Sequence, residues 1–281
     1  MALPSSGAIS LYDVNIELGR SGTTQIGLGD SIVRTLFATA SGAIGLNVGY
    51  GKSSRTSPEL YTTPGTFNFT IPSHNTLTVS IWGGGGGGGE SEVVGGSPGY
   101  GTLGGAGGTS SFGSYLTATG GSHGGFASTT TFSGGSGSGG DINESGITGT
   151  QNSTYTNDLG ASIGGGAGGA AYGGGASVVN TASLTNVGGN RSGIAGNSYG
   201  GGAACLAWQS QQGGGIKQLA LYTGASGGGF SRKTWSAGTL TPGSIVSITV
   251  GAGGTAGSIL FTGSLIAQLA GAAGAIKIEW T

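Results

Sequence analysis

Leu77-Thr78-Val79-Ser80-Ile81-Trp82 runs without a break into seven consecutive glycines, residues 83–89. The first six residues alternate apolar and polar, the period of two that sends neighbouring side chains to opposite faces of a β-strand. The glycines have no side chain to bury, lose the most backbone entropy on folding and are disfavoured inside helices and strands. A folded chain keeps such a run where backbones must come closer than a Cβ allows. The same device recurs at 164–166, 173–175, 200–202, 213–215 and 227–229. The junction therefore predicts a packed glycine lattice carried on a β frame. A Gly/Ser linker is the competing reading of the middle of the chain, but isolated aromatics and strand-like flanks interrupt it throughout.

Strand signals lie on both sides of the glycine-rich stretch. Upstream, Phe67-Asn68-Phe69-Thr70-Ile71 and the quoted strand flank Pro72-Ser73-His74-Asn75, a turn signal that predicts a hairpin within 59–82. Downstream, Thr239 to Ser244 turns into Ile245-Val246-Ser247-Ile248-Thr249-Val250, and the last strand alternates at Ile276, Ile278 and Trp280. The expectation is a mostly β protein. A small antiparallel sheet or sandwich, with first and last strands paired, would enclose a glycine-rich insertion. The frame is assigned to 59–82 and 239–281, the insertion to 83–238, and the whole to one domain, 59–281. Within 95–113 one register in three (Ser97, Tyr100, Leu103, Ala106, Thr109, Phe112) never holds glycine. A left-handed extended helix with three residues per turn would set those side chains on one edge, which predicts polyglycine-II packing.

Residues 1–56 read differently. Ser10 stands as N-cap to a short helix with Leu11, Val14, Ile16 and Leu18 apolar, and Asp30 as cap to 31–37. Ser6-Gly7-Ala8-Ile9 is echoed by Ser41-Gly42-Ala43-Ile44. This predicts a small helical unit too short to bury a core alone, followed by a linker at 51–58. Gly51-Lys52-Ser53 lacks the glycine four residues upstream that a phosphate loop requires, because position 46 is Leu.

Of 281 residues, 69 are glycine against an ordinary share of about 7%. Lys and Arg number 9 and Asp and Glu 10, for a net charge of −1. So few charges argue against nucleic acid or an anionic membrane as partner, since both are held by basic patches. With 4 Trp, 9 Tyr and 8 Phe, the chain also lacks the composition of intrinsic disorder. Cys205 stands alone, so no internal disulfide forms. The start of the chain lacks a signal-peptide pattern and no apolar run is long enough to span a membrane. The expectation is synthesis in a cytoplasm without membrane insertion.

Catalytic and metal constellations are sparse. His74, in the predicted hairpin turn, and His123 have no Cys or carboxylate at ligand spacing. Asp141, Glu144 and Asp158 could pair for glycoside hydrolysis, but Asp141-Ile142-Asn143-Glu144 reads more readily as a solvated loop with an Asx-type turn. No enzyme activity and no cofactor are expected. Three segments break the lattice: 141–160, 176–199 and 203–223. They are rich in Asn, Ser, Thr and Gln, with Tyr155, Tyr172, Tyr199, Trp208 and Tyr222 placed singly. Aromatic rings give broad contact area and stack on sugar faces, while Asn and Ser give adaptable hydrogen bonds. The alternative is that the same aromatics plug the ends of a glycine bundle. Tyr155, Tyr199, Trp208 and Tyr222 are the candidate receptor-binding residues.

Several of these residues together resemble the glycine-rich virion and tail-fibre proteins of tailed bacteriophages. The matching pattern is Gly65 to Pro72, then Leu77 to Trp82 running into the glycine block. It continues with Gly108-Thr109-Ser110-Ser111-Phe112-Gly113, Leu240-Thr241-Pro242-Gly243 and the terminal Gly274 to Trp280. Ser41-Gly42-Ala43-Ile44 with Tyr50-Gly51-Lys52-Ser53 looks like a module at the start of such proteins. A more distant likeness is to the polyglycine-II tip adhesins of T-even-like long tail fibres. The resemblance implies a virion protein, with 1–56 attaching to other virion proteins and the glycine domain meeting a host surface glycan or outer-membrane protein. It transfers no receptor residue. A capsid, neck or tail decoration without receptor binding is the alternative, and self-association is left open.

Overall fold

Strand 77–82 is fully committed to a core: Leu77, Val79 and Ile81 are buried, as are Ile276, Ile278 and Trp280 on the neighbouring strand. The computed structural model describes residues 3–4, 6–52, 57–88, 93–94, 102–124, 132–149, 195–196, 199–203, 208–211, 217–220, 224–261, 264–267 and 269–281. The strands in chain order are β1 (Glu59–Tyr61), β2 (Gly65–Thr70), β3 (Thr76–Trp82), β4 (Val93–Val94), β5 (Ser110–Phe112), β6 (Leu116–Ala118), β7 (Gly137–Ser138) and β8 (Ile142–Glu144). They continue as β9 (Trp208–Gln211), β10 (Lys217–Ala220), β11 (Phe230–Ser236), β12 (Ile245–Val250), β13 (Ser258–Phe261), β14 (Ser264–Ala267) and β15 (Ala275–Trp280).

The protein is mostly β, with two antiparallel five-stranded sheets ordered β1-β15-β3-β11-β8 and β2-β12-β5-β6-β7. Both sheets feed one core. Phe69, Phe112, Leu116, Val246 and Ile248 from the second meet Leu77, Val79, Ile81, Trp235, Ile278 and Trp280 from the first. Phe112 lies 5.7 Å from the ring of Trp235 across the two sheets, and Phe69 lies 6.3 Å from that of Trp280. The last strand pairs with β3 and, on its other side, with β1, Glu59 opposite Ile278 and Tyr61 opposite Ile276, whereas the strand read as first, 67–71, is β2 in the other sheet.

Three expectations change. Residues 67–71 and 77–82 do not form a hairpin: β2 and β3 belong to different sheets, and residues 71–75 carry the chain between them. His74 is consequently buried, its Nδ1 2.7 Å from the Pro72 carbonyl oxygen, rather than lying in a solvated turn. The sheets also recruit β5, β6, β7, β8 and β11 from the stretch read as insertion. Asp141 to Glu144 is accordingly an exposed edge strand on β11, not a free loop, although Asn143 Oδ1 does accept the amide of Gly140 in a tight local turn.

Beyond the strand ends the glycine-rich segments bond to one another with a repeat of three. Amides 83 and 86 donate to Gly229 and Ser226, 84 and 87 to Gly108 and Gly105, and 85 and 88 to Ala272 and Leu269, all at 2.9–3.0 Å. Their carbonyls accept from three other segments: Gly84 and Gly87 from Gly121 and Gly124, Gly85 and Gly88 from Gly254 and Gly257, and Gly86 from Ala203. The run 83–88 is thus ringed by six backbone segments. A Cβ on Gly83, Gly84, Gly85, Gly86 or Gly87 would meet backbone of Thr119, Ala252, Gly201, Ser122 or Thr255 closer than 3.0 Å. Each of these buried amides has a partner, as the cost of burying an unbonded peptide group demands. Along 102–109 the register without glycine faces out: Leu103, Ala106 and Thr109 are exposed while Gly104 is buried. Residues 95–101, and the repeats at 164–166, 173–175 and 213–215, lie outside the described residues.

The N-terminal segment folds around its own apolar cluster, contrary to the expectation that it is too short to have one. Leu3, Ile9, Val14, Ile26, Val33, Leu36 and Phe37 are buried together. Helix α1 (Leu11–Glu17) begins with a capping box in which Ser10 and Asp13 each accept the other's backbone amide. Helix α2 (Ser31–Leu36) follows Asp30, whose carboxylate turns back to accept the Gly27 amide at 3.0 Å instead of capping the helix. The ends of the unit are tied by the Leu3 amide donating to the Lys52 carbonyl at 2.7 Å, so Lys52 closes this unit rather than opening a linker.

Candidate functional site

The two ends of the β frame have different neighbours. At one end, Tyr12 Oη donates to the Pro242 carbonyl at 2.7 Å, and Thr70 Oγ1 donates to the Gly19 carbonyl at 2.8 Å. Thr70 ends β2, and Pro242 lies just before β12, so the N-terminal unit sits at that end of both strands. At the opposite end, Trp82 closes β3, Val250 closes β12, Phe230 opens β11 and Ala275 opens β15. There the chain enters or leaves the glycine lattice. Five short strands lie on the lattice's far side: β9 and β10 form a hairpin with β4 added, and β13 and β14 form a second hairpin.

The hydrogen bonds fix which lattice residues are near the sheets and which are far from them. The Gly83 amide, beside Trp82, reaches Gly229, itself bonded to Thr119 just after β6; Gly88, six residues along the run, meets Leu269 and Gly257. Segment 199–203 follows the same course: the Gly200 carbonyl accepts from Gly228, and the Ala203 amide donates to Gly86.

This course separates the four candidate aromatics. Tyr199 lies at the sheet end, where its ring stacks on Trp82 at 5.2 Å between centroids with 27° between planes. Its backbone takes a positive φ of 60°, unusual for a residue with a side chain. Trp208 begins β9, five residues beyond the lattice position of Ala203, at the far end. Tyr199 and Trp208 are therefore not brought together. Tyr155 and Tyr222, with Tyr172 and Asp158, lie outside the described residues.

A residue that sequence reading passed over organises the lattice mouth. Ser110 is buried, and its Oγ donates to the Trp82 carbonyl at 2.6 Å while accepting the Gly251 amide at 2.9 Å. One hydroxyl thereby ties the exit of β3 to the exit of β12. Ser110→Ala strands the buried Gly251 amide and is expected to cost about 1–3 kcal/mol, measured by denaturant unfolding. The signal was a serine two residues before Phe112 at a glycine-to-strand boundary, too common a pattern to single out.

Charge plays little part. Asp141 Oδ2 accepts the Thr234 amide at 3.0 Å, a structural bond on the sheet edge. Lys277 and Glu279 pair at 2.7 Å on the surface, an arrangement that contributes little. Among the described residues no three His, Cys, Asp or Glu side chains are placed to hold a metal, and no helix is long and apolar enough to cross a membrane. Among the described residues, Leu11, Tyr12, Ile32, Val48 and Tyr50 are exposed on the N-terminal unit, and Leu60, Leu103, Tyr115, Ile142, Ile147 and Ile245 are exposed elsewhere. No protein-family model matches the chain, and no curated protein and no solved structure matches it.

Proposed function

We propose that this chain is a bacteriophage virion protein, a tail-fibre or tip adhesin. In this reading a β-sandwich carries a bundle of polyglycine-II helices that hold host-recognition segments away from the particle. The observation that carries it is the opposition of the two ends. The N-terminal unit bonds to Pro242 and Thr70 at one end of the sheets, and the glycine segments depart from Trp82 and Val250 at the other. The threefold rotation of donors along 83–88 supports the polyglycine-II assignment, because a helix of three residues per turn aims successive amides in three directions. At about 3.1 Å per residue such a run spans roughly 15–20 Å.

The exposed apolar side chains Leu11, Ile32, Val48 and Tyr50 supply an attachment face for other virion proteins. Lattice backbone is committed to its neighbours, so recognition falls to the segments that break the lattice in sequence, with Trp208 at the start of β9, and Tyr155 and Tyr222 from outside the described residues, as aromatic contacts. Tyr199 contributes by holding its segment against Trp82. A polar, nearly uncharged surface suits neutral glycans or outer-membrane loops, bound with little dependence on salt.

Adsorption of phage carrying Trp208→Ala measures this. The expected loss is on the order of 1–3 kcal/mol of binding free energy, with virion incorporation unchanged. Deletion of 1–52 is expected to abolish incorporation. Normal adsorption by both Trp208→Ala and a phage lacking 204–223 assigns the protein instead to decoration of the capsid, neck or tail.

A further inference from the structure

We infer that the free edge of β2 is a self-pairing surface, through which two copies of this chain join their second sheets across a two-fold axis at Phe67. The edges of the two sheets are β1, β8, β2 and β7. Three of them are guarded in ways that discourage pairing: β1 has three residues and carries Glu59, β7 has two residues, and β8 is flanked by Asp141 and ends on Glu144. Strand β2, Gly65-Thr66-Phe67-Asn68-Phe69-Thr70, has six residues and no charge. A long uncharged edge is the kind that recruits another strand, and proteins that must avoid this place lysine or proline on it.

The register follows from which backbone groups face outward. Ile71 and Gly243 exchange hydrogen bonds with the β12 side of β2, through Ser244 and Ile71 respectively. By the alternation of an antiparallel ladder, Gly65, Phe67 and Phe69 then turn their backbone groups to β12, and Thr66, Asn68 and Thr70 turn theirs to the open edge. Thr70 is buried under the N-terminal unit, and Pro64 has no amide to give. Thr66 and Asn68, both exposed, are what remains. A second copy satisfies them in one way: Thr66 opposite Asn68 of the other copy, and Asn68 opposite its Thr66. Both pairs are of the kind that exchanges two hydrogen bonds. Phe67 then faces its own counterpart at the close, non-bonded position on the core side. Phe67 is only half-buried in one chain, its ring 5.4 Å from that of Tyr61 at the open margin of the core. The second copy covers both rings. The pairing is isologous, so it closes at two copies and does not propagate into a filament.

Sedimentation equilibrium of the full chain tests this, with Asn68→Lys on the pairing edge and Ser138→Lys on β7 at the far edge of the same sheet. The expected result is a reversible dimer for the native chain and for Ser138→Lys, and loss of the dimer for Asn68→Lys. At a concentration low enough that all three are monomeric, the melting temperature should match across them, because both positions are exposed. Phe67→Cys should form an interchain disulfide on mild oxidation, above the background given by Cys205 in the native chain. A native chain that remains monomeric at the highest soluble concentration overturns the inference. So does a dimer that survives Asn68→Lys or is lost in Ser138→Lys.

Discussion

Gly86→Val is expected to destabilise the protein by about 3 kcal/mol or more, at or beyond the upper end of what overpacking a well-filled interior costs. The Cβ at this position points at the backbone of Ser122, and neither segment can withdraw. The Gly86 amide is bonded to Ser226, its carbonyl holds Ala203, and the Ser122 carbonyl is itself bonded by Ser226. A shift at one point therefore strains three neighbours, in contrast to a flexible side chain that could rotate aside. Gly29→Ala is the matched control. Nothing lies within 4 Å of its added methyl and its backbone needs no positive φ, so the change is expected to be neutral or slightly stabilising. Denaturant unfolding of both variants checks the pair. A lattice that behaved as a loose linker would accept both substitutions equally.

Phe112→Ala is expected to cost about 3–5 kcal/mol, the range for removing a buried aromatic ring. The ring is fully buried and lies between Phe69, at 6.1 Å, on its own sheet and Trp235, at 5.7 Å, on the other. Its loss opens a cavity where the two sheets meet, directly below Ser110 and the lattice mouth. Thermal unfolding should therefore report both sheets and the glycine segments melting together at a lower temperature. The exposed Leu103, on the outward register of its segment, gives the comparison: Leu103→Ala should leave stability within about 0.5 kcal/mol.

The long alternating strands were legible because their periodicity is strong. Strand 77–82 and the terminal Ile276, Ile278 and Trp280 could be read directly, and so could their place in one antiparallel sheet. Ser10 announced α1, since a capping serine before an apolar stripe has a local cause. The departures arose where tertiary structure overrides local signal. Pro72 to Asn75 looks like a hairpin turn, but whether a turn returns to the same sheet or crosses to the other depends on the core, which no tetrapeptide encodes. Strands β5 and β6 have three residues each, and their pattern is lost among glycines and serines. The N-terminal cluster gathers Leu3, Ile26 and Phe37 from loops and helix ends, so no single periodic stretch revealed it. Of the candidate site, the identity of the lattice could be read from glycine runs. Its polarity could not, because the end on which each segment sits is fixed by hydrogen bonds between residues far apart in sequence. Tyr199 and Trp208 look equivalent in the sequence and lie at opposite ends of one segment.

Hydrogen exchange at the amides of residues 83–88 tests the central claim most directly. Each of the six donates to a different residue on a neighbouring segment, so none can open without breaking the lattice around it. The account predicts that all six exchange only on global unfolding, as slowly as the amides of Val79 and Ile278 in the sheet core. Exchange of this run as fast as that of the open loop at Gly29 would contradict it, and with it the rigid spacer on which the proposed function rests.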